Sequence, residues 1–428
     1  MKGEKIRVVW ICSFSNANVR EHYKTKINPV LQYISKKIGR PIDVTSDSAI
    51  WNSNALREFE KISGIELHVV TPIRHLSEKE VRFEINGIKY YFFRDENSGL
   101  ISFLFFQLFR KNKSQFIKNR RRVQKLIKII QPELVHVIGA ENPQYSLALI
   151  DIPKNIPTII QLQALLDRLV NVTKDPFQKK NFAYKGRLER EIISKADFVA
   201  TTIPEFKDYI LKKIKPNTSF LDLTLAMSNE INLTEVEKRY DFVYFASSLS
   251  KAGDEALKSF TIAYQQYPEI TLNFVGGYDD EFKKSLDEII VQFGLEDAVF
   301  FEGRLPTHQD VLTQIKKSRY ALLPLKMDFV PNTIREAICN GLPVVTTITE
   351  NGTTNLNKAR KSILLSEQGD HKAMAENMML LLSNKSLAEE LMRNAIVTEK
   401  EQNDDNYKLM LQWAAVYTEI KESWQYVY

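Results

Sequence analysis

Short apolar runs separated by amphipathic stretches recur along almost the whole chain: IRVVWICSF at 6–14, ELHVVTP at 66–72, ELVHVIGA at 133–140, TIIQLQ at 158–163 and DFVATTI at 197–203. Runs this short and this rich in β-branched residues read as strands. With helical segments between them they make βαβ units, which forces a parallel sheet. One insertion breaks the rhythm at 81–94, VRFEINGIKYYFFR, where Asn86-Gly87 is a two-residue hairpin signal. The rhythm restarts after a polar stretch with DFVYFASS, TLNFVGG, AVFFEG, YALLPL, LPVVTTIT and SILLS. The expected fold class is therefore α/β, with two Rossmann-like doubly wound domains and a ligand cleft between them. The boundary is placed within 222–240, giving an N-terminal domain at 1–225, a second at 226–405 and a final helix at 406–428.

A chain of 428 residues with 44% hydrophobic content is long enough for two separate cores. Its net charge of +6 suits phosphates, nucleotides or an anionic surface, and no nucleic-acid reading module accompanies it. Cys12 and Cys339 are the only cysteines, so neither a disulfide framework nor a four-ligand zinc site is available, and a cytoplasmic location is expected. The first apolar run is too short for a signal peptide or a membrane span. Histidines 68, 75, 308 and 371 form no ligand-spaced cluster, and no Asp-x-Asp occurs in a suitable loop, so no metal is expected. No Gly-x-Gly-x-x-Gly follows the first strand, which argues against a dehydrogenase.

The stretch DFVPNTIREAICNGLPVVTT, 328–347, carries the densest chemistry. Asp328 and Glu336 stand eight positions apart across a loop-to-helix junction. Asn332 as N-cap, or Pro331 near the first turn, starts a helix, and Gly341 stops it before the next strand. Free amides at such a helix start can meet an anion, with Glu336 about one turn inside.

This pattern resembles the signature of retaining, family-4-like glycosyltransferases of the GT-B fold, although Asp328 stands where that family usually has Glu and Phe329 where it usually has Gly. The blocks beginning at Ala246, Phe300 and Gly369 follow in the order the family uses. The resemblance implies that Glu336 holds the donor ribose and that Asp328 contacts the donor sugar. An Arg and a Lys-Gly pair hold the diphosphate in many relatives. Here Ser247 and Ala252 occupy those positions, with Lys251 displaced by one, so Lys251, Arg304 and Lys326 are alternative cations. Ser247, Ser248, Gly303, Asn332, Thr333, Asn351, Gly352 and Thr353 complete the donor-side candidates. On the N-terminal side Glu141, at the end of a strand, is the candidate that takes over from the family's His, because Ile138 stands where relatives carry it. His136 reads as a core histidine. Asn16, Asn18 and His22 follow the first strand and are acceptor-side candidates.

What the resemblance implies is a glycosyltransferase moving a sugar from a nucleotide-sugar donor to a hydroxyl acceptor on a saccharide, glycolipid or polysaccharide precursor. The transfer would retain configuration, without metal or cofactor, and with UDP-linked donors ahead of GDP-linked ones. Two other readings are a nucleotide-sugar 2-epimerase and a non-catalytic sugar-nucleotide-binding subunit. Finally, residues 101–130 combine Phe103, Phe105, Phe106 and Phe109 with Arg110, Lys111, Lys113 and Arg120 to Arg122. That composition suits either a helix packed on its own sheet or peripheral docking on an anionic membrane.

Overall fold

The computed structural model describes residues 5–37, 42–98, 115–172, 176–227, 230–246, 252–278, 280–325, 332–349, 352–402 and 405–424. The chain forms two compact units, the first made of residues 1–33, 48–226 and 406–428, the second of 34–47 and 227–405. Residues 34–47 are an excursion into the second unit that the sequence does not announce.

The first unit holds strands β1 (Ile6–Ile11), β2 (Ile65–Ile73), β3 (Glu80–Ile85), β4 (Ile88–Arg94), β5 (Leu134–Ile138), β6 (Thr158–Gln161), β7 (Phe198–Ala200) and β8 (Ser219–Leu221). Their order is β3-β4-β2-β1-β5-β6-β7-β8, and all neighbours are parallel except β3 and β4. That exception is the expected hairpin: Ile85 pairs with Ile88, and Asn86 and Gly87 both take positive φ, as a type I′ turn requires. β8 lies in a stretch the sequence presents as linker. At three residues, with none of them fully buried, it carries too little pattern to be read. The helix Asn406–Trp424 belongs to this unit, and its Trp413 and Tyr417 pack around Trp10 of β1.

The second unit has the strands β9 (Tyr240–Phe245), β10 (Leu272–Val275), β11 (Val299–Gly303), β12 (Ser318–Leu323), β13 (Val344–Thr347) and β14 (Leu364–Ser366), all parallel, in the order β11-β10-β9-β12-β13-β14. The chain winds outward from β9 to one side and then crosses to β12 and winds to the other. The switch therefore falls between β9 and β12, and open α/β sheets bind ligands outside the carboxyl ends of the strands at that point.

Candidate functional site

After β10, Gly276 has φ +142, and a Cβ there would lie 2.3 Å from the Ala246 carbonyl oxygen, so only glycine fits. The loops that follow β9 and β12 contain Ser247, Ser248, Lys251, Lys326 and Asp328, and these residues, like Asn351, lie outside the described residues.

The helix Asn332–Cys339 follows β12 and leads into β13. It ends in a Schellman motif: the Gly341 amide donates to Ile338 O at 2.9 Å, the Leu342 amide to Ala337 O at 3.0 Å, and Gly341 takes φ +76. This sharp stop returns the chain to the sheet and keeps the helix short. Its inner face is fixed by Arg335, whose Nε donates to Glu399 Oε1 at 3.0 Å in a buried pair. At the opposite end Asn332 is the first helical residue, and it does not cap. Asn332 Oδ1 and Thr333 Oγ1 are both shielded from solvent and have no hydrogen-bond partner among the described residues. Unsatisfied polar atoms at a helix start cost free energy unless a ligand completes them.

Glu336 is 9% exposed and meets one side chain the sequence reading set aside. His308 Nε2 lies 3.3 Å from Glu336 Oε1. His308 opens the helix His308–Ile315, which Thr307 and Asp310 cap reciprocally in a capping box, and the His308 amide donates to Asp47 Oδ2 at 3.1 Å. Burial disfavours the charged imidazole, but the Glu336 carboxylate and the nearby Asp47 outweigh it, and His308 titrates above its ordinary range. The capping box is the local signal that could have located this histidine at a helix start. Its meeting with Glu336 is a tertiary fact.

Arg304 follows Gly303, which takes φ +69. Its Nε approaches Asp43 Oδ2 at 2.7 Å and Ser46 Oγ at 2.9 Å. Burial works against the Asp43 carboxylate. The bonds from Ser46 and Thr45, helped by Arg304, nonetheless hold it down at about 2. Of the three alternative cations, Arg304 is thus engaged by the 34–47 excursion, while Lys251 and Lys326 lie outside the described residues. Thr353, a donor-side candidate, is engaged within its own turn. It is fully buried, its hydroxyl donates to Thr347 O at 2.7 Å and accepts from the Thr349 amide at 3.0 Å, and its own amide donates to Thr349 Oγ1 at 3.1 Å. Its polar atoms close the turn after β13. Gly352 precedes it as the first residue of that turn.

In the first unit, Glu141 stands beyond β5 at the carboxyl end of the sheet. Gly139, at φ +103, leaves space that a Cβ would fill, 2.7 Å from Tyr145 Oη and 2.8 Å from Glu141 Oε1. Glu141 Oε1 accepts from Asn142 Nδ2 at 2.8 Å and from the Gln163 amide nitrogen at 2.9 Å, while Gln163 in turn accepts from Trp51 Nε1 at 2.9 Å. Glu141 Oε2 is buried without a partner. Burial pushes this carboxyl up to about 7, against weaker opposition from its backbone hydrogen bond and Lys185. The same burial lowers Lys185. Trp51, Gln163 and Lys185 were not read from the sequence, because each comes from a different segment. The acceptor-side trio does not converge: Asn16 caps Val19 N at 3.0 Å and donates to Ser53 Oγ at 3.0 Å, Asn18 is exposed, and His22 stacks on Phe83 with ring centroids 4.7 Å apart.

Residues 229–398 match the family of glycosyl transferases group 1. An uncharacterized glycosyltransferase of Haemophilus influenzae is 28% identical over 137 residues, 32% of this chain and 37% of that protein's length. Sucrose-phosphate synthase from Thermosynechococcus elongatus superposes with a TM-score of 0.68 at 14% identity, covering 98% of this chain and 100% of that one. The pneumococcal O-GlcNAc transferase GtfA, solved in complex with UDP and GlcNAc, gives a TM-score of 0.55 at 14% identity over 70% of this chain and 59% of that one. The chain thus has the two-sheet α/β fold of GT-B glycosyltransferases, with its residues 229–398 matching the glycosyl transferases group 1 family.

Proposed function

We propose that this protein transfers a sugar from a nucleotide-sugar donor to a hydroxyl acceptor, retaining the anomeric configuration. The observation that carries the reading is the start of the helix Asn332–Cys339. There Asn332 Oδ1 and Thr333 Oγ1 have no hydrogen-bond partner among the described residues, one turn from a Glu336 whose Oε1 lies 3.3 Å from His308 Nε2. A donor diphosphate completes the helix amides, and the Glu336 carboxylate accepts from ribose hydroxyls. Asp328 is assigned to the donor sugar on the strength of its motif position. UDP is the favoured nucleotide, in keeping with the UDP bound by the pneumococcal relative.

In the proposed step the acceptor oxygen attacks the anomeric carbon on the face the diphosphate leaves. The bond to the diphosphate breaks, and the hydroxyl proton passes to a departing phosphate oxygen. The helix amides stabilise the developing charge, and no divalent ion is required. Turnover with UDP-sugars is therefore expected to survive a chelator. Abolition by EDTA with rescue by manganese would count against this account.

Glu336→Gln tests the donor site directly. Losing the charged hydrogen bond to ribose should weaken UDP binding by about 1–3 kcal/mol in calorimetry. Unchanged affinity would remove Glu336 from the donor site.

A further inference from the structure

The carboxyl edge of the first unit's sheet holds a second feature beside the Glu141 loop. β4 reaches this edge at Arg94, and antiparallel β3 begins there at Glu80. The helix Ile117–Ile130, which leads into β5, starts at the same end, and Asn119 Nδ2 donates to Gln144 O at 2.9 Å, tying the helix to the segment after Glu141. Among these elements lies a cavity of about 520 Å³ whose lining includes Lys79, Arg94, Lys118, Arg121 and Arg122.

Two carboxylates also line it, and both are turned to other duties. Glu96 Oε2 accepts the Lys118 and Asn119 amides at 2.8 and 3.2 Å, so the helix start is already capped. Asp95 is buried and accepts from Asn119 Nδ2 at 3.1 Å and from the Asn97 amide at 2.9 Å. Arg94 is pinned by the Leu76 and Ser77 carbonyls, and Arg122 lies 3.7 Å from Glu80. Lys79, Lys118 and Arg121 are exposed and have no carboxylate partner among the described residues. A concave site with surplus positive charge and pre-positioned guanidinium groups matches a phosphate, which offers a near-dianion and three acceptor oxygens.

We propose that this cavity binds the phosphate group of a phosphorylated acceptor. The acceptor role rests on the glycosyl-transfer reading above, whereas the anion site stands on the cavity alone. A soluble sugar phosphate and a phospholipid headgroup present the same chemistry, and the test distinguishes them.

Pyrophosphate is titrated into the full chain at low ionic strength with UDP at saturation, so that the donor site is already filled. Saturable binding is expected, weakened tenfold or more in Lys118→Glu/Arg121→Glu, whose unfolding midpoint and UDP affinity should match the wild type. Flotation with phosphatidylglycerol vesicles that is competed by pyrophosphate and lost in the double variant would assign the site to a lipid headgroup. Pyrophosphate binding without flotation would assign it to a soluble phosphate. Equal pyrophosphate affinity in the wild type and the double variant overturns the proposal, as does the absence of any saturable binding. Failure of UDP to bind would instead strike the glycosyl-transfer reading and leave the pyrophosphate result intact.

Discussion

At the scale of single residues, Glu336 was legible and its surroundings were not. Its place one turn into a short helix follows from start and stop signals within ten residues of sequence. His308 looked like an isolated histidine because its partner is 28 positions away and reaches it only through the sheet. The same holds for Glu141, whose position at a strand end is local, while Gln163 and Lys185 arrive from other segments. The His308 pairing makes a direct prediction. Its raised titration depends on the Glu336 carboxylate, so in Glu336→Gln the imidazole should titrate lower, as burial then acts with less opposition. The sign follows from linkage: protonated His308 adds stability that is complete below about 6.5, the unfolded value, and is lost as pH rises through the higher folded value. An NMR titration of the His308 ring in both proteins decides it. An unmoved midpoint would mean that the 3.3 Å approach carries no charge coupling.

At the scale of elements, strands buried on both faces announced themselves through apolar runs, and the Asn86-Gly87 hairpin through two residues that tolerate positive φ. The 34–47 excursion left no such mark. Asp43 and Asp47 have ordinary polar neighbours, and only the folded chain brings them to Arg304 and to the start of the helix His308–Ile315. The basic stretch 101–130 divides along similar lines. Its described part, the helix Ile117–Ile130, buries Val123, Leu126, Ile127 and Ile130, and Arg120 forms a two-pronged pair with Asp151 at 2.6 Å. That part packs on its own unit, and Arg120 is a structural cation. Phe103, Phe105, Phe106, Phe109, Arg110, Lys111 and Lys113 lie outside the described residues.

The turn after β13 is held together by its own polar groups. A Thr in a Gly-Thr-Thr loop suggests ligand binding, and Thr353 has zero exposure and four hydrogen bonds among the described residues. Thr353→Val removes the hydroxyl from three of them and strands the Thr349 amide and the Thr347 carbonyl. The expected cost is about 1–3 kcal/mol of stability in chemical denaturation, with Thr353→Ser close to wild type. A Val variant of normal stability but weakened UDP binding would return Thr353 to the donor site.

At the scale of the whole molecule, the two-sheet α/β architecture was readable because parallel sheets need both faces covered, and that demand shapes the central strands. The route of the chain is harder to read, because the first unit is assembled from three separated stretches. Its closure depends on Tyr417, which is fully buried. Trp10 Nε1 lies 2.9 Å from the Tyr417 hydroxyl and His136 Nδ1 lies 2.6 Å from it. An indole can only donate, so the hydroxyl accepts from Trp10 and sends its own proton to His136 Nδ1. The imidazole is then neutral, which agrees with burial pushing it down to about 3. Tyr417→Phe leaves an indole N–H and an imidazole nitrogen unpaired in the core, at an expected cost of about 1–3 kcal/mol for each buried group left unsatisfied. The chain's four tryptophans, Trp10, Trp51, Trp413 and Trp424, all fall in the first unit, so tryptophan fluorescence during urea unfolding reports that unit alone. Its midpoint should fall in Tyr417→Phe, while the UDP binding proposed for the second unit should persist at urea concentrations below the transition. In the wild type the same signal should weaken as pH drops below about 6.5, because the unfolded chain then gains a proton at His136 that the folded core refuses until about 3. A tryptophan transition in Tyr417→Phe that coincides with wild type would show that residues 406–428 pack on the first unit without closing it.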